Sequence, residues 1–116
     1  MALPKINRIK KKKDFEIIFK KGTGFQNSLL VLKIIKNNFG GSRFGFIVSQ
    51  KVSKKATIRN KVRRRLAEII KAEFKNIKDG LDIVFISLPG IEKKEFSDIK
   101  DALQKLLIKA GIINNS

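Results

Sequence analysis

The run Leu81-Asp82-Ile83-Val84-Phe85-Ile86-Ser87-Leu88 is apolar at most positions and shows little alternation. A strand that faces water on one side alternates, whereas one without alternation belongs at the centre of a sheet covered on both faces. Pro89-Gly90 ends it, and Asp79-Gly80 marks the turn before it. This strand needs helices to cover it, and it requires other strands on its edges. Hydrophobic residues make up 42% of the 116, enough for a real core in one domain even at a formal net charge of +17. Disorder is the weaker reading for the body of the chain.

The remaining elements follow from periodicity. Residues 4–13 form an extended basic arm. A short helix follows, with Asp14 in its first turn, where a negative charge suits the helix dipole, and with Phe15, Ile18 and Phe19 at helical spacing. Gly22 stops it. Leu29 to Ile35 reads as a first strand, and Asn37-Asn38-Phe39-Gly40-Gly41 supplies turn chemistry for a hairpin into a strand over 43–49. In that strand Phe44, Phe46 and Val48 share one face, and Gly45 leaves a bare patch on the other. A long helix runs from about Lys55 to about Asn76, with Ile58, Val62, Leu66, Ile69 and Ile70 in one stripe. Glu95 to Lys109 forms a last amphipathic helix on Phe96, Ile99, Leu103, Leu106 and Leu107, and Gly111 closes it. The expected architecture is α+β, a two-layer sandwich with helices packed on a central sheet in the order α-β-β-α-β-α and room for one further short strand. Residues 1–116 form a single domain, with a basic arm over 1–13 and a basic loop and arginine-rich helix over 51–75.

The charge is concentrated at the front. Residues 1–22 hold eight basic and two acidic groups, residues 51–75 ten and two, and residues 76–116 six of each. Residues 54–65 contain seven cations (Lys54, Lys55, Arg59, Lys61, Arg63, Arg64 and Arg65) and no anion. Four of the six arginines fall in that stretch, although lysine outnumbers arginine elsewhere. Arginine's planar fork grips phosphate bidentately, which a lysine point charge does not. A solvated helix face normally mixes signs, so these like charges need an anionic partner. Asn60 sits among them as a small uncharged donor and acceptor, and is either part of that binding face or simply an exposed polar residue or helix-start hydrogen bonder. Phe15 and Phe19, bracketed by Lys10 to Lys13 and by Lys20 and Lys21, are either core or a floor on which single-stranded bases stack.

Other chemistry is poorly provided for. With no Cys and no His, the chain has no disulfide, thiol nucleophile, imidazole base or usual zinc site. The ten carboxylates show no metal-binding spacing, so neither a protein-held metal nor a catalytic residue is expected. No apolar run approaches the roughly 20 residues of a membrane span, and the N-terminus lacks the apolar core of a secretory signal. A cytoplasmic location is expected.

Ala56-Thr57-Ile58-Arg59-Asn60-Lys61-Val62-Arg63-Arg64-Arg65-Leu66-Ala67-Glu68 resembles the signature of the protein subunit of bacterial ribonuclease P, approximately Ala-Val-x-Arg-Asn-Arg-x-Lys-Arg and then Arg-Glu. Arg59, Asn60 and Arg64 match, while Lys61 and Arg63 exchange one cation for the other and Ala67 lacks a charge common in the family. Ile9 to Phe15 with Phe19 to Gly22, Gly45 to Val52, and Asp82 to Gly90 extend the likeness along most of the chain. Gln50, Ser53 and Lys33 depart from it, the last where an aromatic is common. The resemblance implies a left-handed βαβ crossover carrying the arginine helix. It also implies a large catalytic RNA as partner and precursor tRNA as substrate, with metal-bound hydroxide on that RNA cutting off the 5′ leader. Magnesium would be required by the holoenzyme and not bound by the protein alone, and the protein would act as a monomer within the ribonucleoprotein. Lys51, Lys54, Lys55, Arg59, Asn60, Lys61, Arg63, Arg64 and Arg65 would dock on the RNA subunit. Lys10, Lys11, Lys12, Lys13, Phe15, Phe19 and Phe46 would hold the leader. A structural RNA-binding protein, such as a ribosomal one, fits charge and size as well; a membrane-surface binder ranks last because it leaves the α+β pattern unexplained.

Overall fold

The computed structural model describes residues 4–113, and the first three residues of the predicted basic arm lie outside the described residues. In chain order the elements are α1 (Lys12–Lys21), β1 (Thr23–Gln26), β2 (Leu30–Lys36), β3 (Arg43–Ile47), α2 (Ala56–Glu73), β4 (Leu81–Ser87) and α3 (Phe96–Lys109). Short 3-10 turns occupy Lys5–Asn7, Phe74–Asn76 and Ile91–Lys93. The further short strand is β1, an edge strand with exposed or half-exposed residues throughout, which explains its weak signal. The arm is not free. Arg8 bridges to Phe44 as an added parallel pairing, the Ile9 amide donates to the Phe44 carbonyl at 2.9 Å, and the Ile9 side chain is buried.

The sheet order is β1-β2-β4-β3, with β2 antiparallel to both neighbours and β3 parallel to β4. The Asn37–Gly41 segment therefore reverses the chain without making the expected hairpin, because β4 lies between β2 and β3. The physical reason is in β4 itself. It is the most continuously buried strand, and only an inner position pairs both its edges while covering both its faces. Leu30, Leu32, Phe44, Ile83 and Phe85 on one sheet face pack against Val62, Leu66, Ile69 and Ile70 of α2 and Ile99, Leu103, Leu106 and Leu107 of α3. This is the sandwich read from the sequence.

The other face carries α1. Ile9, Ile18 and Val84 form a smaller buried cluster there, with Phe15, Ile35, Ile47 and Ile86 half-buried around it. Gly45 makes this packing possible, since a Cβ on it would lie 2.6 Å from the Phe15 ring. The bare patch is thus a seat for Phe15. Gly22 closes α1 by donating its amide to the Ile18 carbonyl at 2.8 Å. Its φ of −71° is ordinary, and glycine is needed there because a Cβ would meet that carbonyl oxygen.

A polar clasp fixes the arm, α1 and two strand starts relative to one another. Arg43 donates through Nε and Nη2 to the two oxygens of buried Asp82 at 2.9 and 2.6 Å, and through Nη1 reaches Asp14 of α1 at 3.5 Å. Asn37 Nδ2 donates to the same Asp82 at 2.8 Å, and Asn7 Nδ2 donates to the Ser42 carbonyl at 3.0 Å. The hydrogen bond with Asp82 raises the Arg43 pKa, and the charges of Asp82 and Asp14 add to this against the opposing effect of burial.

Candidate nucleic-acid interface

Two surfaces bring the predicted residues together. On α2 the buried stripe of Val62, Leu66, Ile69 and Ile70 turns Asn60, Lys61 and Arg64 outward, exposed, and sets Arg59, Arg63 and Arg65 half-buried along its margins. Each marginal arginine is held by oxygen atoms of the protein. Arg59 Nη1 donates to the Ser53 and Lys54 carbonyls at 3.0 and 2.9 Å. Arg63 donates to Asn60 Oδ1 at 2.7 Å and to the Val48 carbonyl at 3.2 Å. Arg65 reaches the Lys94 carbonyl at 3.3 Å. Asn60 therefore serves as an orienting acceptor for Arg63 one helical turn on, a pairing that its i, i+3 spacing allows.

Among the described residues none of the seven cations in 54–65 lies within ion-pair distance of a carboxylate. Carbonyl contacts pin the forks without neutralising them. Thr57, Asn60, Arg63 and Arg64 line one shallow groove, and Lys61, Arg64, Arg65 and Glu68 line the next, so Arg64 stands between the two. Lys51, Lys54 and Lys55 are exposed on the turn that leads from β3 into α2. Lys55 occupies the N-cap position with no side-chain cap, and the first turn holds no acid. A helix start ringed by cations is an electrostatically costly arrangement that an approaching phosphate relieves.

The second surface is the part of the sheet that α1 leaves open. Strand register places Gly45, Val84, Lys33 and Gly24 in one row and Ile47, Ile86, Val31 and Gln26 in the next. Alternation along each strand puts these rows on the α1 face. Phe15 and Phe19 form the wall, ring centroids 6.5 Å apart, with Phe15 half-buried on the sheet and Phe19 41% exposed. The two open readings of this pair thus divide between its members: Phe15 packs on the sheet, and Phe19 presents its ring to solvent. Lys33 lies half-buried on this floor with its stem beside Gly24 and makes no ion pair among the described residues.

The predicted leader set does not stay together. Phe46 lies on the opposite face, stacked on Phe85 at 5.9 Å within the main core, so it cannot line a cleft with Phe15 and Phe19. Parity decides this: if Phe15 sits over Gly45, its neighbour Phe46 must point away. Lys12 and Lys13 are exposed on the first turn of α1, whereas Lys10 and Lys11 line a different groove with Asp14 and Arg43.

A family model described as Ribonuclease P matches residues 3–111. The ribonuclease P protein component of Clostridium botulinum (strain 657 / Type Ba4) is 41% identical over 111 residues, covering 95% of this chain and 99% of that protein. That of Synechocystis sp. is 37% identical over 116 residues, covering 99% and 94%. Among solved structures, the RNase P protein of Staphylococcus aureus superposes with a TM-score of 0.85 at 32% identity, over 93% of this chain and 98% of that one. The RNase P protein of Thermotoga maritima gives 0.80 at 34% identity, over 88% and 96%.

The chain belongs to the ribonuclease P protein family.

Membership extends across both surfaces, since the match runs from the arm to the end of α3. In this ribonuclease P protein the sheet-face residues Val31, Ile47 and Ile86 were missed as site candidates. The signal that finds them is strand parity with Gly45, once α1 is known to lie on that face.

Proposed function

We propose that this chain is the protein subunit of ribonuclease P, a ribonucleoprotein endoribonuclease that trims the 5′ leader from precursor tRNA. The observation that carries the reading is the unneutralised cation face of α2 on a chain of this family. Lys51, Lys54, Lys55, Arg59, Lys61, Arg63, Arg64 and Arg65 bind phosphates of the catalytic RNA, and Asn60 steadies the Arg63 fork. Each phosphate contact releases counterions and steepens the salt dependence of binding. Phe15, Phe19, Lys12 and Lys13, with Lys33, Val31, Ile47 and Ile86, hold the single-stranded leader by base stacking and phosphate attraction.

Residues 48–55 link the end of β3, where Ile47 lies on the leader floor, to the start of α2, with Lys51, Lys54 and Lys55 exposed and Val52 buried as the anchor. The protein thereby places cations where two polyanions must approach, lowering their repulsion and favouring substrate binding. The hydrolytic step asks nothing of its side chains. Among the described residues no three carboxylates gather to hold a metal ion, and Asp14 and Asp82 are engaged by Arg43. In this reading the magnesium ions sit on RNA phosphates, with the chemical step. We also propose a cytoplasmic location. Among the described residues no helix is long and apolar enough to cross a membrane.

The test is cleavage of precursor tRNA by a bacterial ribonuclease P RNA at low magnesium, with and without the purified protein. Cleavage that needs both components and falls when Arg59 and Arg64 become Ala supports the reading. Tight RNA binding without stimulation overturns it in favour of a purely structural RNA-binding protein.

A further inference from the structure

The groove lined by Lys10 and Lys11 has no role in the function proposed above, and its chemistry is specific. It opens beyond the Arg43 end of β3, past the point where Phe15 covers Gly45, and shares no lining residue with the leader surface. Its apolar walls are Phe39, 67% exposed, and Ile6, 81% exposed. These two are the most exposed large hydrophobic residues among those described. The Arg43 guanidinium lies 4.1 Å from the Phe39 ring centroid and backs the ring from the protein side. Arg43 is in turn anchored by Asp82 and Asp14, so the ring rests on a fixed cation.

Three further cations surround this platform. Arg8, Lys10 and Lys11 line the groove, and none forms an ion pair among the described residues. Arg8 makes no hydrogen bond there either, and its Nε is shielded from solvent without an acceptor. The one carboxylate on the wall, Asp14, is engaged by Arg43. An exposed aromatic ring beside unpaired cations matches an unstacked base carrying its phosphate. A protein partner would have to supply acids for the same cations and would gain only two apolar side chains.

We propose that this groove is a second single-stranded RNA site, in which a base stacks on Phe39 against Ile6 while its phosphates lie on Arg8, Lys10 and Lys11. It rests on the RNA-binding reading of the chain but not on the leader surface or the processing role. Lys10 and Lys11 then serve this site and leave the leader to Phe15, Phe19, Lys12 and Lys13.

The chain has no Trp and no Tyr, so a single F39W substitution installs a unique fluorophore at an exposed loop position. The full-length F39W protein is titrated with an unpaired oligoribonucleotide of about ten nucleotides and, separately, with tripolyphosphate. The expected result is strong quenching by the oligonucleotide and none by tripolyphosphate. The F39A protein should bind the oligonucleotide roughly tenfold more weakly with an unchanged unfolding midpoint. Unchanged F39W emission while anisotropy shows the oligonucleotide bound overturns the proposal. Equal quenching by tripolyphosphate also overturns it, since charge alone then suffices. The cleavage assay with unmodified protein separates the two readings. Stimulated cleavage with a silent F39W removes only this groove, whereas quenching without stimulation keeps the groove and removes the subunit role.

Discussion

At the scale of single residues, the protein invests its acids unevenly. Arg43 and Asp82 form a largely buried, two-pronged pair that Asn37 completes, whereas Lys105 and Asp101 on α3 form an exposed i, i+4 pair. Removing the Arg43 side chain leaves a buried carboxylate, so R43A should lose about 3 kcal/mol in urea unfolding. K105A should change stability by at most about 0.5 kcal/mol. A cation whose pKa is raised on folding contributes stability that is complete below its ordinary value and lost only as the pH climbs past it. Across about pH 5 to 9 the Arg43 guanidinium stays charged in both folded and unfolded chains, so its own titration adds no pH dependence to the stability of the parent protein, which urea unfolding over that range checks. Gly45 gives a sharper case. G45A puts a Cβ against the Phe15 ring, so it should cost about 1–3 kcal/mol in unfolding and weaken leader binding as the ring is displaced. The sequence showed the bare patch at Gly45 but not its occupant, because a missing side chain marks a space and only the placement of α1 fills it.

At the scale of elements, α2 trades stability for charge. Its buried stripe supports the helix, yet it starts at an uncapped Lys55 with no acid in the first turn. Replacing that lysine by the preferred cap, K55D, should raise stability by about 1 kcal/mol in urea unfolding. The same change should lower affinity for the RNA subunit and reduce the magnitude of its log–log salt slope by about one phosphate contact or more. A gain in stability paired with a loss in binding marks this helix start as shaped by its partner. The boundaries of α2, β4 and α3 were readable because each carries a long, strongly periodic or uniformly apolar pattern. Four-residue β1 was not readable in the same way, since Thr23-Gly24-Phe25-Gln26 has one half-buried side chain and depends on β2 for its conformation. The arm was expected to be extended, and instead Lys5–Asn7 turns and Ile9 locks onto β3, because a lone buried isoleucine has no period to reveal it.

At the scale of the whole molecule, a net charge of +17 makes folding and binding respond oppositely to salt. Screening relieves self-repulsion in the folded chain, so the free protein's Tm should rise as sodium chloride increases. Screening and counterion release weaken RNA binding, by about a thousandfold between 50 and 200 mM salt if six phosphates are contacted. Thermal melts and filter binding over one salt series check both signs, and a Tm that falls with salt would count against the repulsion argument.

By itself the sequence determined the α+β class, the long helices and strands, the side of α2 that meets solvent and the clustering of its cations. These are properties of local backbone geometry, where 3.6-residue and two-residue periods turn residue order directly into faces. The tertiary structure decided what lies beside what. It inserted β4 between β2 and β3, put α1 on the sheet face opposite the main core, sent Phe46 away from Phe15, and gathered Arg8, Phe39 and Arg43 from separate segments around one groove. Strand neighbours and grooves depend on which distant surfaces bury the most apolar area together, and no local period encodes that choice.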